Sequence, residues 1–434
     1  MSAELLRNTQ LNRGINGLKI AIITTNGITS QFYSWPERLQ ARGLAGRGHQ
    51  IKAYTYLGSK SWNRARQETI DGVAVRRMRQ SWFSFSLWRE LLLGERPDIV
   101  HLHHLSNQFN FSATLACKLR GVPVVITPHG LFHDPYLVVD RDRPFDAPPR
   151  YNEIIMRVTD LFTALRHQFK PKRHLKNFMT HAPLKMADRV IALSQHGRGV
   201  LLRLGLPDKR ICIAPNAIDQ NWLEGIVPAP KLGQPQILYL GQLKYRKGFD
   251  LLARAMPLIV KKFPQARFVF AGHSPVHQAE LLRLVKESGL KGNVVLPGNL
   301  SEQDKAAYFL ASDLYVLPTR YEGFGIPLLE AMSAGCPVVS SAIPVIDEII
   351  KDGENGLLAP PENPTELAQV ILRVLEDQNL QHHLIEGGRK AVAAYYTPLL
   401  IDQLERLYRE VLTEKQARGW RSKLGLSPIS RRTR

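Results

Sequence analysis

Residues 228–241 read PAPKLGQP followed at once by QILYLG, and this junction decides the fold. A stretch so rich in proline continues neither a helix nor a central strand, because each ring removes a backbone donor and fixes φ. The run at 236–241 then reads as a short buried strand closed by glycine. Residues 228–235 are therefore a linker between two segments, each with its own rhythm of strands and helices.

On the N-terminal side the apolar runs are LKIAIITT (18–25), QIKAYTY (50–56), GVAVRRM (72–78), IVHLH (99–103), VPVVITP (122–128), DRVIALS (188–194) and RICIAP (210–215). Helical patterns intervene, one ending near Arg47 and one at 113–120. On the C-terminal side the runs are QILYLG, ARFVFAG (266–272), NVVLPG (293–298), SDLYVLP (312–318) and PVVSS (337–341). Short strands alternating with helices build a largely parallel sheet covered on both faces. The expected α/β architecture is two Rossmann-like doubly wound domains facing a central cleft, with ligand at the carboxyl ends of the strands. Residues 1–227 form the first domain, 236–397 the second, and 398–434 a last helix with a basic tail.

With 434 residues, 44% hydrophobic and 22% charged, the chain has the composition of a globular protein and length for two cores. A disordered chain or a small disulfide-stapled domain is excluded. Cys117, Cys212 and Cys336 are three widely spaced thiols in or beside apolar runs, which points to reduced cysteines and a cytoplasmic location. No apolar segment of signal-peptide type precedes Gly17, and residues 18–25 are too short to cross a bilayer. Membrane contact is therefore expected to be peripheral, on the cytoplasmic face.

The net charge is +20, from 58 Lys and Arg against 38 Asp and Glu. It is segregated: residues 1–220 hold 32 basic and 16 acidic side chains, 221–413 hold 19 and 21, and 414–434 hold seven and one. Basic surfaces of this kind meet phosphates on nucleic acid, on an anionic membrane surface or on a substrate. Residues 140–185 contain no convincing strand. There Ile154, Ile155, Val158, Leu161, Phe162 and Leu165 recur at helical spacing beside Arg157, Arg166, Lys170, Lys172, Arg173 and Lys176. The simpler reading is a helix packed on its own domain with a solvated basic face, ahead of membrane insertion.

Chemistry concentrates in residues 320–337, RYEGFGIPLLEAMSAGCP, which follow a strand. Gly323 and Gly325 allow close backbone approach, and Pro327 suits the first turn of a helix whose free N–H groups attract a pyrophosphate. Glu322 precedes that helix and Glu330 lies one turn inside it. A carboxylate accepts two hydrogen bonds from neighbouring hydroxyls, so Glu322 suits a sugar and Glu330 a ribose diol. Solvated helix-end glutamates would be the default for a bare Glu-x7-Glu spacing, but Gly-Phe-Gly-Ile-Pro between them argues against it. A second loop, residues 241–248 (GQLKYRKG), places three cations after a strand, where they offset charge on a departing diphosphate.

These two elements in this order resemble the family 4 glycosyltransferases of the GT-B fold, retaining enzymes that use nucleotide sugars. Further segments are similar to the family: Gly48-His49-Gln50-Ile51, Thr127-Pro128-His129-Gly130, Ala187-Asp188-Arg189-Val190-Ile191 with Ser194, and Pro215-Asn216-Ala217-Ile218-Asp219. The resemblance implies that the first domain binds the acceptor and the second the nucleotide sugar, with the last helix crossing back. It implies catalytic roles for His129, Glu322 and Lys247. Donor contacts are implied for Gly27, Gln242, Lys247, Glu322, Gly323, Phe324, Gly325, Ile326 and Glu330. Gln242 stands where the family usually has arginine, Ala217 where it often has glycine, and Asn26-Gly27-Ile28 replaces a glycine pair.

The Asp-x-Asp at Asp140-Arg141-Asp142 belongs to a different fold's metal chemistry, and it reads as chance. His101 and His103 share a strand face with no third ligand in view, so packing or cleft lining is the better reading. No catalytic metal and no cofactor beyond the co-substrate are expected. No residue is a clear nucleophile, so attack on the face from which the diphosphate leaves is the expected route to retention. The rivals are a nucleotide-sugar epimerase of the same twin-domain plan and, more remotely, a nucleic-acid binder. The latter has only the net charge behind it, so no nucleic acid is expected.

Overall fold

The computed structural model of the chain describes residues 17–423 apart from 26–27, 30–33, 58–64, 80–82, 106–108 and 131–153. The apolar runs of the first half become β1 (Lys19–Ile23), β2 (Gln50–Tyr56), β3 (Gln67–Ile70), β4 (Val73–Met78), β5 (Ile99–His103), β6 (Val124–Thr127), β7 (Arg189–Ala192) and β8 (Ile211–Ile213). Among the described residues they form one sheet in the order β3-β4-β2-β1-β5-β6-β7-β8. Only β3 and β4 pair antiparallel, across a turn at Asp71 and Gly72, which hold φ of 52° and 77°. Gln67–Ile70 was no strand in the sequence reading; its Asp-Gly turn was the available signal.

The second sheet is parallel throughout: β9 (Gln236–Leu240), β10 (Arg267–Ala271), β11 (Val294–Gly298), β12 (Leu314–Leu317), β13 (Val338–Ser341) and β14 (Leu357–Ala359), in the order β11-β10-β9-β12-β13-β14. Each sheet reverses its strand order once, beside β1 in the first and beside β9 in the second. Crevices open at the carboxyl ends of strands at such switch points. The segments following β1, β5, β9 and β12 are thereby placed to build a site.

A helix spanning Thr397–Lys423 returns to the first domain. Leu400, Ile401, Leu404, Leu407, Tyr408 and Val411 are buried in one cluster with Ile20, Ile22 and Ile51. Arg47 meets Asp402 at 2.8 Å, and His49 meets Glu405 at 2.9 Å.

The segment after residue 153 differs from the expectation. Ile154 and Ile155 are buried ahead of a helix that begins only at Val158 (Val158–His167), and that helix buries no residue. Val158 and Phe162 are 55% and 62% exposed, and Phe169, before the next helix (Pro171–Met186), is 82% exposed. Val158 and Phe162 are thus turned outward among cations, while Leu161 and Leu165 of the same helix are half-buried. Among the described residues no helix is long and apolar enough to cross a membrane.

Candidate active site

The loop after β9 is held against the end of β12 by backbone geometry. Gly248 has φ of 71°, and a Cβ there would lie 1.7 Å from the carbonyl oxygen of Pro318, so only glycine fits. The Arg246 carbonyl accepts from the Arg320 N–H and from the Thr319 hydroxyl, both at 2.8 Å. The Arg320 guanidinium forks onto Asp250 at 2.7 and 2.9 Å. Two loops far apart in sequence thus become one rigid surface, on which the ammonium of Lys247 pairs with the carboxylate of Glu322. Burial and the neighbouring Arg246 push the Lys247 ammonium below its ordinary value, and Glu322 only partly opposes them.

Gly325 caps the helix Ile326–Ser333 in the left-handed region (φ 104°), with Pro327 in its first turn. Gly325, Ile326 and Pro327, at the start of that helix, line the cleft beside Lys247. Glu330, 2% exposed, lies inside the helix and meets Lys305 at 2.7 Å. Lys305 comes from the helix Glu302–Ala311 and also donates to Glu302 at 2.9 Å and to Ser34, of the first domain, at 2.8 Å. Burial works against its charge, but the two carboxylates raise it above the ordinary lysine value.

The opposite wall belongs to the first domain. His104 and His129 follow β5 and β6 with φ of 62° and 56°, a region that residues other than glycine seldom occupy. The His129 Nε2 lies 2.8 Å from His103 Nδ1, while His104 pairs with Glu37, which stands at the start of the helix Pro36–Gly46. Burial alone would raise the Glu37 carboxyl, but the His104 ring brings it down to about 2. Burial likewise opposes charge on His104, yet Glu37 lifts it above the ordinary histidine value. His129 is pushed down to about 3 by burial and by His104. Neutral His129 therefore stands beside a charged Glu37–His104 pair.

Between the walls is a cleft of about 550 Å³. It brings together His129, Lys247, Glu322, Gly323, Phe324, Gly325, Ile326 and Glu330. Gln242 is exposed, and Arg246 supplies the second cation of the lining in its place, while Lys244 is also exposed. Gly27 and the Asp140-Arg141-Asp142 triplet lie outside the described residues. His103 does have further ligand-capable neighbours, contrary to the sequence reading: atoms of Glu37, His103 and His129 lie within 4.8 Å of one another. Glu37 and Lys305 were missed by sequence reasoning. Each sits on the apolar face of its helix, Glu37 in line with Ala41 and Leu44 and Lys305 beside Ala306 and Phe309, and that misplaced charge was the signal.

The two halves match two family models. Residues 38–222 match the one described as Glycosyltransferase Family 4, and residues 226–391 the one described as glycosyl transferases group 1. This chain belongs to the family 4 glycosyltransferases. Among curated members, it is 31% identical over 179 residues to the alpha-D-kanosaminyltransferase of Streptomyces kanamyceticus, covering 41% of this chain and 46% of that one. It is 32% identical over 209 residues to the phosphatidyl-myo-inositol mannosyltransferase of Mycobacterium tuberculosis, covering 45% and 53%. The chain thus spans about half the length of the curated relatives it matches.

Among solved structures, sucrose-phosphate synthase from Thermosynechococcus elongatus superposes with a TM-score of 0.66 at 22% identity, over 91% of this chain and 99% of that one. Anabaena HepE, solved in complex with UDP and glucose, gives 0.67 at 16% identity, over 91% and 100%. The fold is GT-B.

Proposed function

We propose that this member of family 4 is a retaining glycosyltransferase that moves a hexose from a nucleotide diphosphate sugar to an acceptor held by the first domain. The observation that carries the reading is the Lys247–Glu322 pair, set in one cleft with the N-terminal end of the helix Ile326–Ser333 and with His129 on the opposite wall. The diphosphate lies on the helix N-terminus, with Lys247 and Arg246 meeting the charge that grows as the glycosyl bond breaks. Glu322 and neutral His129 orient the sugar, and Glu330 takes the ribose diol. The acceptor oxygen attacks the face from which the diphosphate departs, and the leaving phosphate takes its proton. HepE, whose structure holds UDP and glucose, supports a nucleotide-sugar donor.

Catalysis is proposed to need no metal. Binding a cation at Glu37, His103 and His129 would have to break the His103–His129 bond of 2.8 Å and the Glu37–His104 pair, and Lys247 with Arg246 already supplies positive charge for the leaving group. A screen of nucleotide sugars with and without acceptor, with product anomers read by NMR and chelator added, tests these points together. Retained configuration with undiminished activity in chelator is expected. An inverted product or loss of activity in chelator overturns the mechanism, and turnover without acceptor restores the epimerase reading.

The acceptor is proposed to lie at an anionic membrane surface, with the enzyme docked on its cytoplasmic face. Val158, Phe162, Phe169 and Leu175 are exposed beside Arg166, Lys170, Lys172 and Arg173, and one relative's name specifies a phosphatidyl-myo-inositol acceptor. Each cation near an anionic leaflet contributes about 1 kcal/mol, and the exposed rings add apolar burial. Co-sedimentation with vesicles of anionic and of neutral lipid, at low and high salt, tests the docking. Salt-sensitive binding to anionic vesicles alone supports it; equal binding to both, or to neither, removes it.

A further inference from the structure

We propose that Lys305 is a positioning residue that aims Glu330 at the ribose and ties ribose recognition to closure of the two domains. The inference rests on the reading of Glu330 as the ribose ligand. An ammonium has three N–H donors, and here each has a partner: Glu330 at 2.7 Å, Glu302 at 2.9 Å and Ser34 at 2.8 Å. Two partners belong to the second domain and the third to the first, so the side chain is a three-way joint across the cleft.

Stability is a poor explanation for such a joint. Lys305 is 9% exposed and sits beside Ala306 and Phe309 on the packed face of its helix, where apolar residues of similar volume in place of both Lys305 and Glu330 would hold the packing at least as well. What the lysine supplies instead is direction. It fixes one carboxylate oxygen of Glu330, so that the other is presented to the diol in a single orientation, with no reorganisation when the nucleotide arrives. Its ammonium also lies 5.6 Å from the centre of the Trp222 ring, and Trp222 Nε1 donates to Ser333 at 3.2 Å, at the end of the helix that carries Glu330. The segment entering the second domain, the ribose-facing helix and the first-domain loop at Ser34 therefore converge on one nitrogen. A ribose that engages Glu330 stabilises the arrangement in which Ser34 reaches Lys305.

Calorimetry with UDP and GDP, and with the 2′,3′-dideoxy form of whichever binds, tests the proposal in the wild type, Lys305→Met, Lys305→Arg and Ser34→Ala. Loss of the diol should weaken binding to the wild type about tenfold, the scale of a charge-assisted hydrogen bond. In Lys305→Met the diol-bearing nucleotide should weaken to the level of the dideoxy one, whose own affinity stays put, and Lys305→Arg should recover part of the difference. Ser34→Ala, a small change in a loop, should lower kcat and, because the coupling is reciprocal, weaken the diol-bearing nucleotide more than the dideoxy one. Equal weakening of both nucleotides in Lys305→Met, or wild-type kcat in Ser34→Ala, overturns the proposal. If the wild type does not distinguish the two nucleotides, the ribose assignment of Glu330 falls first, and the role of Lys305 with it.

Discussion

Gly323 packs against His129 so closely that a Cβ on the glycine would lie 2.6 Å from the His129 carbonyl oxygen. The two residues belong to different domains, and the obstructing atom is backbone, which cannot swing aside as a flexible side chain would. Gly323→Ala must therefore hold the walls of the cleft apart. The kcat should fall by roughly ten- to a hundredfold, the penalty for misplacing reacting groups by a fraction of an ångström to one ångström, while nucleotide affinity, supplied mainly by the second domain, should fall far less. Steady-state kinetics beside calorimetry with the nucleotide checks this; a variant with normal kcat would mean that the contact is absent during turnover.

Lys247 and Glu322 are each other's buried counter-charge, so deleting one strands the other. Lys247→Ala should lower kcat about tenfold or more through loss of charge stabilisation at the leaving group, and it should also lower the melting temperature. The double variant Lys247→Ala, Glu322→Gln should regain part of that stability while staying inactive, because the orphaned carboxylate is gone. Additive losses in thermal unfolding would show that the two side chains are uncoupled.

The Glu37–His104 pair sets a pH window. Glu37, lowered from 4.5 to about 2, contributes stability that is present above pH 4.5 and is lost as pH falls toward 2. His104, raised from 6.5, contributes stability that is full below pH 6.5 and is lost as pH rises through its elevated value. The neighbouring His103 and His129 are both lowered, so below pH 6.5 they favour the unfolded chain and act against the pair. Glu37→Gln removes the one carboxylate that raises His104 among the described residues, leaving burial to push that ring below 6.5. NMR titration of the His104 ring should show this downward move, and the alkaline limb of the kcat profile should shift with it. An unmoved titration would mean that the pair is not formed.

How much of this was legible follows from the range of each interaction. Parallel strands buried on both faces read as unbroken apolar runs, so β1, β5, β9 and β12 and the crevices at their ends were visible. Strand β3 was not, because QETI carries no apolar run and owes its state to pairing with β4. The helix-start glycines and Glu330 could be placed because the chemistry is local to residues 320–337. The Lys247–Glu322 partnership spans 75 positions, and Lys305 to Glu330 spans 25. No periodicity encodes which charge on one element meets which on another. The basic segment after residue 153 was legible as amphipathic, but which of its apolar residues are left exposed depends on where the helix begins, a matter of two or three residues.

The returning helix offers a test in which stability and catalysis should separate. Tyr408 is fully buried in the first domain and its hydroxyl lies 2.7 Å from His101 Nδ1; the other ring nitrogen lies 2.8 Å from the Thr127 hydroxyl. Burial and His129 push His101 down to about 3, so the ring is neutral, with one nitrogen donating and the other accepting. Tyr408→Phe keeps the ring packing among Ile20, Leu404 and Val411 but leaves one buried nitrogen of His101 without its partner. The cost should be about 1–3 kcal/mol, the range for an unsatisfied buried polar group. Since Thr127 ends β6 two residues before His129, the loss is felt at the base of the acceptor wall and not at Lys247 or Glu330. Urea unfolding should therefore show a weakened first-domain transition, with the nucleotide dissociation constant unchanged. A variant as stable as the wild type would mean that the helix is held by its apolar face alone, and a weakened nucleotide affinity would mean that the two domains do not respond separately.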